Sequence, residues 1–529
     1  MKKLISLLFM LCLTAPLSAA DGTDNIFTRA LQDEMQRTRK ELHLKGSPDP
    51  FFIGYYLFDR TKLTAKAKFG QITAAPVSTS AILGTNLLSA GNAKNDSWGL
   101  HNKRAALYFS NIPRSYGGIR QALWELSDAA YARAIEDYDA KAAFKRKKNI
   151  TGNLTDFLPA KKTVRAEPVT APELLTAEQV AALARELSDW GADLPFVEDF
   201  NVEIVHAHDT TYYLNSEGSA YQKSDTDITL TWRAQIRNRA GYVQTFKREA
   251  RFVALNAQTR AQLAEISQHF REGLSEAYAA KKAESYLGPV LLKPAAASWL
   301  LTQEFVKNIS NLKPLLDTQY QKGGNFRDKT GKRVMSNLIT VYDKPQLRQY
   351  NNQPLYFTAY LDDEGVPVQE LILAQGGKIK QLPRSRRPLE KGAQSNGHGF
   401  SPDDTLSFPR EGTTNVWVEA VQPQTPQALE EQLLAQCREL ELEYCLIVND
   451  LPRPLSAWRI YSADGHKEPV FGLELTGLST RALRDITGAG NDLEVTDEGR
   501  MVTPSLLLEE LEFIPTNEEP DTPPFVPKP

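Results

Sequence analysis

The sequence predicts an α+β fold, and three observations predict it. A helix-patterned segment, Asp24–His43, is followed by aromatic strand-like runs with no helix between them. Three further strands, Phe200–Leu214, Tyr221–Gln235 and Tyr242–Ala254, follow one another across the turns NSEG and NRAG. The long helical patterns are grouped around these strands rather than alternating with each one. Alternation would have argued for a parallel α/β sheet.

The first helix places Ile26, Phe27, Leu31, Met35 and Leu42 at helical spacing with charges between them,. After the loop GSPDP, Phe51–Arg60 (FFIGYYLFDR) reads as a strand from its aromatic content, and Lys62–Ile72 as the next strand,. From Gly118 to Lys148 a long helix carries Ile119, Leu123, Leu126, Ala130, Ala134, Tyr138 and Phe144 in one stripe. Its basic end, Lys145–Lys148, complements the helix dipole and reads as a solvated terminus,. Asn149–Pro172 reads as a loop. Thr176 with Gln179 forms a capping-box signal for a helix running to about Trp190, and Asn256 caps another that runs toward Ser285,.

The leader is MKKLISLLFMLCLTAPLSAA, Met1–Ala20. Two lysines, an apolar core and Ser18-Ala19-Ala20 make it a secretory signal peptide,. The expectation is an exported chain, periplasmic in a Gram-negative cell, with no membrane span. Lys and Arg number 62 against 65 Asp and Glu, and they are interspersed. That balance lacks a nucleic-acid footprint. Only Cys437 and Cys445 remain after the leader, so stability rests on the core rather than a disulfide framework; whether these two pair is left open,.

Around Gly288–Leu312 the pattern changes. An apolar run, Gly288–Leu292, meets Lys293-Pro294. A helix then opens with Ala295, Ala296 and Ala297 and continues through Trp299, Leu300, Leu301, Phe305 and Val306,. The phrase GPVLLKPAAA with its helix resembles the start of the C-terminal domain of the TldD/PmbA family, once called modulators of DNA gyrase. FFIGYY, ALWELSDAAY, YYLNSEG, LITVYDKP, LPRSRRP, SNGHG, ALRDITGAGNDLEV and the terminal TPSLLLEELEF resemble family phrases as well.

The resemblance implies a two-domain fold: residues 21–283 an N-terminal helix-and-sheet domain, 284–515 a C-terminal domain on a large, curved, mostly antiparallel sheet. Residues 516–529 are rich in proline and acid and read as a disordered tail,. Active relatives carry His-Glu-x-x-x-His on the helix, two imidazoles ligating zinc and the glutamate acting as general base. Here those positions hold Thr302, Gln303 and Lys307. Threonine has no imidazole, glutamine cannot take a proton, and an ammonium repels a metal. Shifting by one residue gives Gln303, Glu304 and Asn308, which restores a carboxylate but no histidine. The resemblance also implies a cysteine ligand in a longer segment before the terminal strand; here only TDEGRMV intervenes.

These losses imply a chain without the family's zinc or other cofactor, a pseudoenzyme acting in proteolysis as the non-catalytic subunit of a zinc-bearing relative. The resemblance implies a homodimer or heterodimer that admits an extended peptide by sheet-edge pairing. The alternatives are a stand-alone peptide-binding protein and an active peptidase with a rebuilt site. For the last, the candidates are Glu304, His398 in its glycine-flanked loop, and the pair His206 and His208. At i and i+2 on a strand that pair shares one face. It reads either as half a metal site or as polar side chains on the solvent face.

Overall fold

The computed structural model describes residues 25–517 except 101–107, 153, 171–172, 314, 318–323, 402–408 and 452–454. The expected leader and nearly all of the expected tail lie outside the described residues.

Four helices and five long strands build the N-terminal half: α1 (Ile26–Glu41), β1 (Pro50–Lys68), β2 (Gln71–Asn92), α2 (Tyr116–Lys147), α3 (Ala177–Asp189), β3 (Val197–Asn215), β4 (Ala220–Arg237), β5 (Val243–Phe252) and α4 (Ala257–Ala279). β2, β1, β3, β4 and β5 pair antiparallel in that spatial order. The expected pair of strands Phe51–Arg60 and Lys62–Ile72 is one strand of 19 residues. The chain reverses only at Phe69-Gly70. Both residues there have positive φ, and a side chain at Gly70 would meet Asp189 Oδ1 at 2.4 Å. Thr176 and Gln179 make the reciprocal capping box on α3, and Asn256 caps α4. Within the expected loop 149–172, Val164–Ala166 forms a short strand beside β4.

Alternation along the strands gives the sheet two different faces. Ile53, Tyr55 and Leu57 of β1 pack with Tyr212 and Leu214 under α1 and α2. Leu63, Ala65 and Ala67 pack with Val202 and Ile204 under α3 and α4. The opposite face carries Phe52, Tyr56, Leu87, Phe157 and Tyr213, together with Leu361 from the C-terminal half. One face therefore meets helices and the other meets the second half of the chain.

That second half contains β6 (Tyr286–Leu292), α5 (Pro294–Leu301), β7 (Ile339–Asp343), β8 (Leu371–Gln375), β9 (Val416–Ala420), α6 (Pro426–Glu439), β10 (Tyr444–Asp450), β11 (Ser456–Tyr461), β12 (Lys467–Phe471), β13 (Leu473–Thr476), β14 (Glu494–Thr496), β15 (Met501–Thr503) and β16 (Leu506–Pro515). One sheet runs β13-β16-β6-β10-β11-β12 and a second runs β8-β7-β9-β15-β14, most neighbours antiparallel. Between the sheets, Val290 and Leu292 pack with Ala296, Leu300, Phe305, Val341, Val418 and Leu508 in a single core. The terminal strand β16 pairs directly with β6, which explains its unbroken leucines.

Tyr356–Val368 is an irregular segment holding one tight turn, in which Asp362 Oδ1 accepts from the backbone of Glu364 and Val366. One expectation changes here. Thr516, placed in the tail, is buried and donates its N–H to Gly472 O. Cys437 and Cys445 are free thiols, both buried in one small cluster with α6, and burial pushes both upward.

Candidate functional site

α5 begins as the sequence predicts, with Lys293 as N-cap and Pro294 in its first turn. It does not stay α-helical. Thr302–Val306 forms a π turn, and the Lys307 N–H reaches back to Thr302 O. In an α-helix, positions five apart sit about 140° apart around the axis. A π turn closes between residues five apart and brings them toward one face. Thr302 and Lys307, the positions of the two expected imidazoles, are thus the residues that this backbone device pairs.

The side chains there are not a zinc set. Lys307 donates its ammonium to Gln303 Oε1, so the general-base position is bonded to a ligand position. Thr302 lies beside Asp497, whose carboxyl burial pushes upward against the pull of Arg500. Glu304 is partly buried, and burial raises its carboxyl too. Among the described residues no group of three or more His, Cys, Asp or Glu side chains is placed to hold a metal. Threonine, glutamine and lysine do not fit zinc, which takes imidazole, thiolate or carboxylate ligands.

The short segment TDEGRMV has its own structure. It completes β14, turns through Asp497, Glu498 and Gly499 with φ of 51°, 53° and 91°, and returns as β15. Two consecutive non-glycine residues in the left-handed region are rare. The turn packs against α5, and Lys247 of β5 forms a 3.4 Å ion pair with Glu498. β14 is the last strand of its sheet. An edge strand therefore lies beside α5, the helix that leads into the π turn.

The remaining histidines are placed elsewhere. His206 and His208 do share a face, but it is the helix-covered one: they are 4% and 3% exposed, which corrects the solvent-face reading. His206 Nδ1 accepts from Leu175 N–H at 2.9 Å, and burial lowers its pKa. His208 Nδ1 shares a 2.7 Å bond with Thr226. Asp209 points away and pairs with Arg60. β3 runs under two helix layers, and period-2 alternation alone does not reveal which face is covered.

His398 has the acidic partner that local spacing did not show. Its Nε2 lies 2.8 Å from Asp343 Oδ2, both side chains fully buried, and its Nδ1 is within 3.0 Å of Asn396 O and Oδ1. Asp343 also accepts from Thr414 N–H and Oγ1. The aspartate is that of VYDKP, 55 residues earlier. Gly397 makes the loop possible: its φ is +79° and a Cβ there would meet Pro367 O at 2.3 Å. Both ring nitrogens are engaged inside the core.

The main electrostatic feature that sequence reasoning missed joins the two halves. From LPRSRRP, Arg386 and Arg387 are 1% and 4% exposed. Arg386 donates to both oxygens of Glu217 at 2.5 and 2.7 Å and to Leu158 O at 2.7 Å. Arg387 donates to Asp96 Oδ2 at 2.5 Å, and Lys141 reaches Asp96 and Asp156 at 2.9 and 2.8 Å. Burial alone would raise Asp96, yet Arg387 and Lys141 hold it low. Lys145, read as part of a solvated terminus, donates to Asn95 Oδ1 at 2.8 Å. Tyr56 donates to Asp363 Oδ1 at 2.7 Å. Two adjacent arginines in a proline-flanked stretch, with no nucleic-acid footprint around them, were the available signal.

Comparison with known proteins agrees with this architecture. Residues 285–514 match the PmbA/TldA metallopeptidase C-terminal domain. No curated protein sequence matches the chain. TldE from Thermococcus kodakarensis superposes with a TM-score of 0.64 at 14% identity, over 92% of this chain and 100% of that one. A proposed modulator of DNA gyrase from Thermotoga maritima gives 0.62 at 14%, over 92% and 100%. Another from Bacteroides thetaiotaomicron gives 0.61 at 13%, over 93% and 98%. The structural likenesses establish the fold, and the domain match ties that fold to a sequence family. Residues 285–514 thus match the C-terminal domain of PmbA/TldA metallopeptidases, and the chain as a whole shares the fold of these solved structures.

Proposed function

We propose that this chain is a catalytically silent family member that binds extended peptide as the partner of a zinc-bearing relative, in proteolysis outside the cytoplasm. The observation that carries the reading is the π turn. Its backbone pairs the two positions where active relatives carry histidine, while the side chains at those positions are Thr302 and Lys307, with Gln303 between them bonded to Lys307. The edge strand β14 beside α5 supports peptide capture by strand addition,. The leader Met1–Ala20 supports export,.

The test is the metal content of the purified mature protein after expression with zinc, by elemental analysis. The expected result is no stoichiometric metal, with a zinc-bearing paralogue recovered on pull-down. About one zinc per chain, lost on His206→Ala or His398→Ala, would overturn the silent reading and show a relocated centre.

A further inference from the structure

Next to the buried ion-pair cluster, between the two halves of the chain, lies a partly enclosed cavity of about 60 Å³. At about 10–15 Å³ per water it has room for a few waters, and so for a carboxylate group. Trp98, Leu315 and Leu316 form an apolar wall, and Lys313, Arg387 and Arg410 bring positive charge to it.

The charges do not balance. Asp96 and Asp156 are taken up by Arg387, Lys141 and Lys145. Glu411 accepts from Ser385 Oγ at 2.7 Å and from the Lys313 N–H at 3.1 Å, both neutral donors. The charge of Glu411 therefore offsets at most one of the two remaining cations, Lys313 and Arg410. Among the described residues Arg410 donates only to the carbonyls of Asn311 and Lys313, and its buried Nε lacks a partner there. The Lys313 ammonium makes no hydrogen bond among them either. Burial and the neighbouring Arg387 press its pKa down to about 8, with Lys141 adding to the push and Asp156 and Glu411 opposing it. Burial lowers Arg410 as well. A buried surplus of positive charge is costly until an anion offsets it.

We propose that this cavity binds a small carboxylate bearing a short apolar group. Lys313 and Arg410 hold the carboxylate, and Trp98, Leu315 and Leu316 receive the apolar part. Charge-assisted bonds to carboxylate are among the strongest available to these side chains. The same chemistry is offered by a free organic acid and by the C-terminus of a peptide. Neither Lys313 nor Arg410 belongs to the π turn, so this site stands independently of the function proposed above.

Isothermal titration of the full mature chain tests it with N-acetyl-leucine, N-acetyl-leucine amide and the tripeptide Ala-Ala-Leu. The acid should bind at least about tenfold more tightly than the amide. Lys313→Gln should weaken acid binding by about tenfold or more, and Lys313→Arg should largely keep it. Among the described residues Lys313 forms no ion pair, so both variants should fold, with circular dichroism as the check. Binding of the tripeptide together with the acid assigns the site to chain ends; binding of the acid alone assigns it to free acids, and either supports the proposal. Equal affinity for acid and amide, no binding of any of the three, or an unchanged affinity in Lys313→Gln overturns it.

Discussion

Glu364 shows how much a single residue's environment decides. It lies fully buried in the turn that meets the N-terminal sheet, 2.5 Å from the Arg386 N–H, and burial raises it to about 7 despite Arg387 and Arg386 nearby. Its neighbour Asp362 is raised as well, by burial and then by Glu364 itself. A carboxyl whose folded pKa exceeds its unfolded value contributes most below the unfolded value, near 4.5. That contribution is lost as pH rises toward 7. The Glu364→Gln variant should therefore lose less stability than the parent between pH 5 and 7, by on the order of 2 kcal/mol. Melting curves across that range check it, and parallel curves would refute it. None of this was legible in LDDEGVP, which reads as an ordinary acidic turn. His398 makes the same point: the residue stood out in the sequence, but its partner Asp343 comes from another strand.

At the scale of elements, the sequence named the helix after β6 correctly and missed how it ends. Proline at its start, alanine and leucine through its first turns, and the apolar spacing of Leu300, Leu301 and Phe305 were all readable. The π turn was not, because an extra residue in one turn leaves no compositional mark. Its role as a packing element is testable. Phe305 is fully buried in the core between the sheets. Phe305→Ala should cost about 3–5 kcal/mol in urea unfolding. Lys307→Ala, an exposed side chain bonded among the described residues only to Gln303, should stay within about 0.5 kcal/mol,. A large loss in Lys307→Ala would mean that the Lys307–Gln303 bond, rather than the core, holds the turn. On β1 the propensity reading was right and the length wrong, since β-favouring residues run through Arg60 and only Phe69-Gly70 permit reversal.

At the scale of the whole molecule, the two halves are held by a buried polar seam. Arg386 bridges Glu217, Leu158 O and Glu364 O across it. Arg386→Ala leaves those acceptors without their donor and should destabilise the chain by about 3 kcal/mol. Scanning calorimetry should then show one transition in the parent and two in the variant. A single, unshifted transition would show that apolar contact between Leu361 and the aromatic face of the sheet suffices. The seam also bounds the cavity at Lys313, so both depend on how the halves dock.

What the sequence determined alone was local and periodic: the α+β class, most strands and helices, two caps, the family phrases, and the identities of Thr302, Gln303 and Lys307. The class, elements and caps follow from propensity, alternation and spacing, which act over a few residues; the phrases and the motif positions rest on the resemblance to a known family. What tertiary structure decided was which face of β3 is covered, which carboxylate meets His398, and where Arg386 and Arg387 find their anions. Those depend on contacts between residues 31 to 291 positions apart. Burial then changes the chemistry of each group by removing its water, and no local pattern records which water is removed.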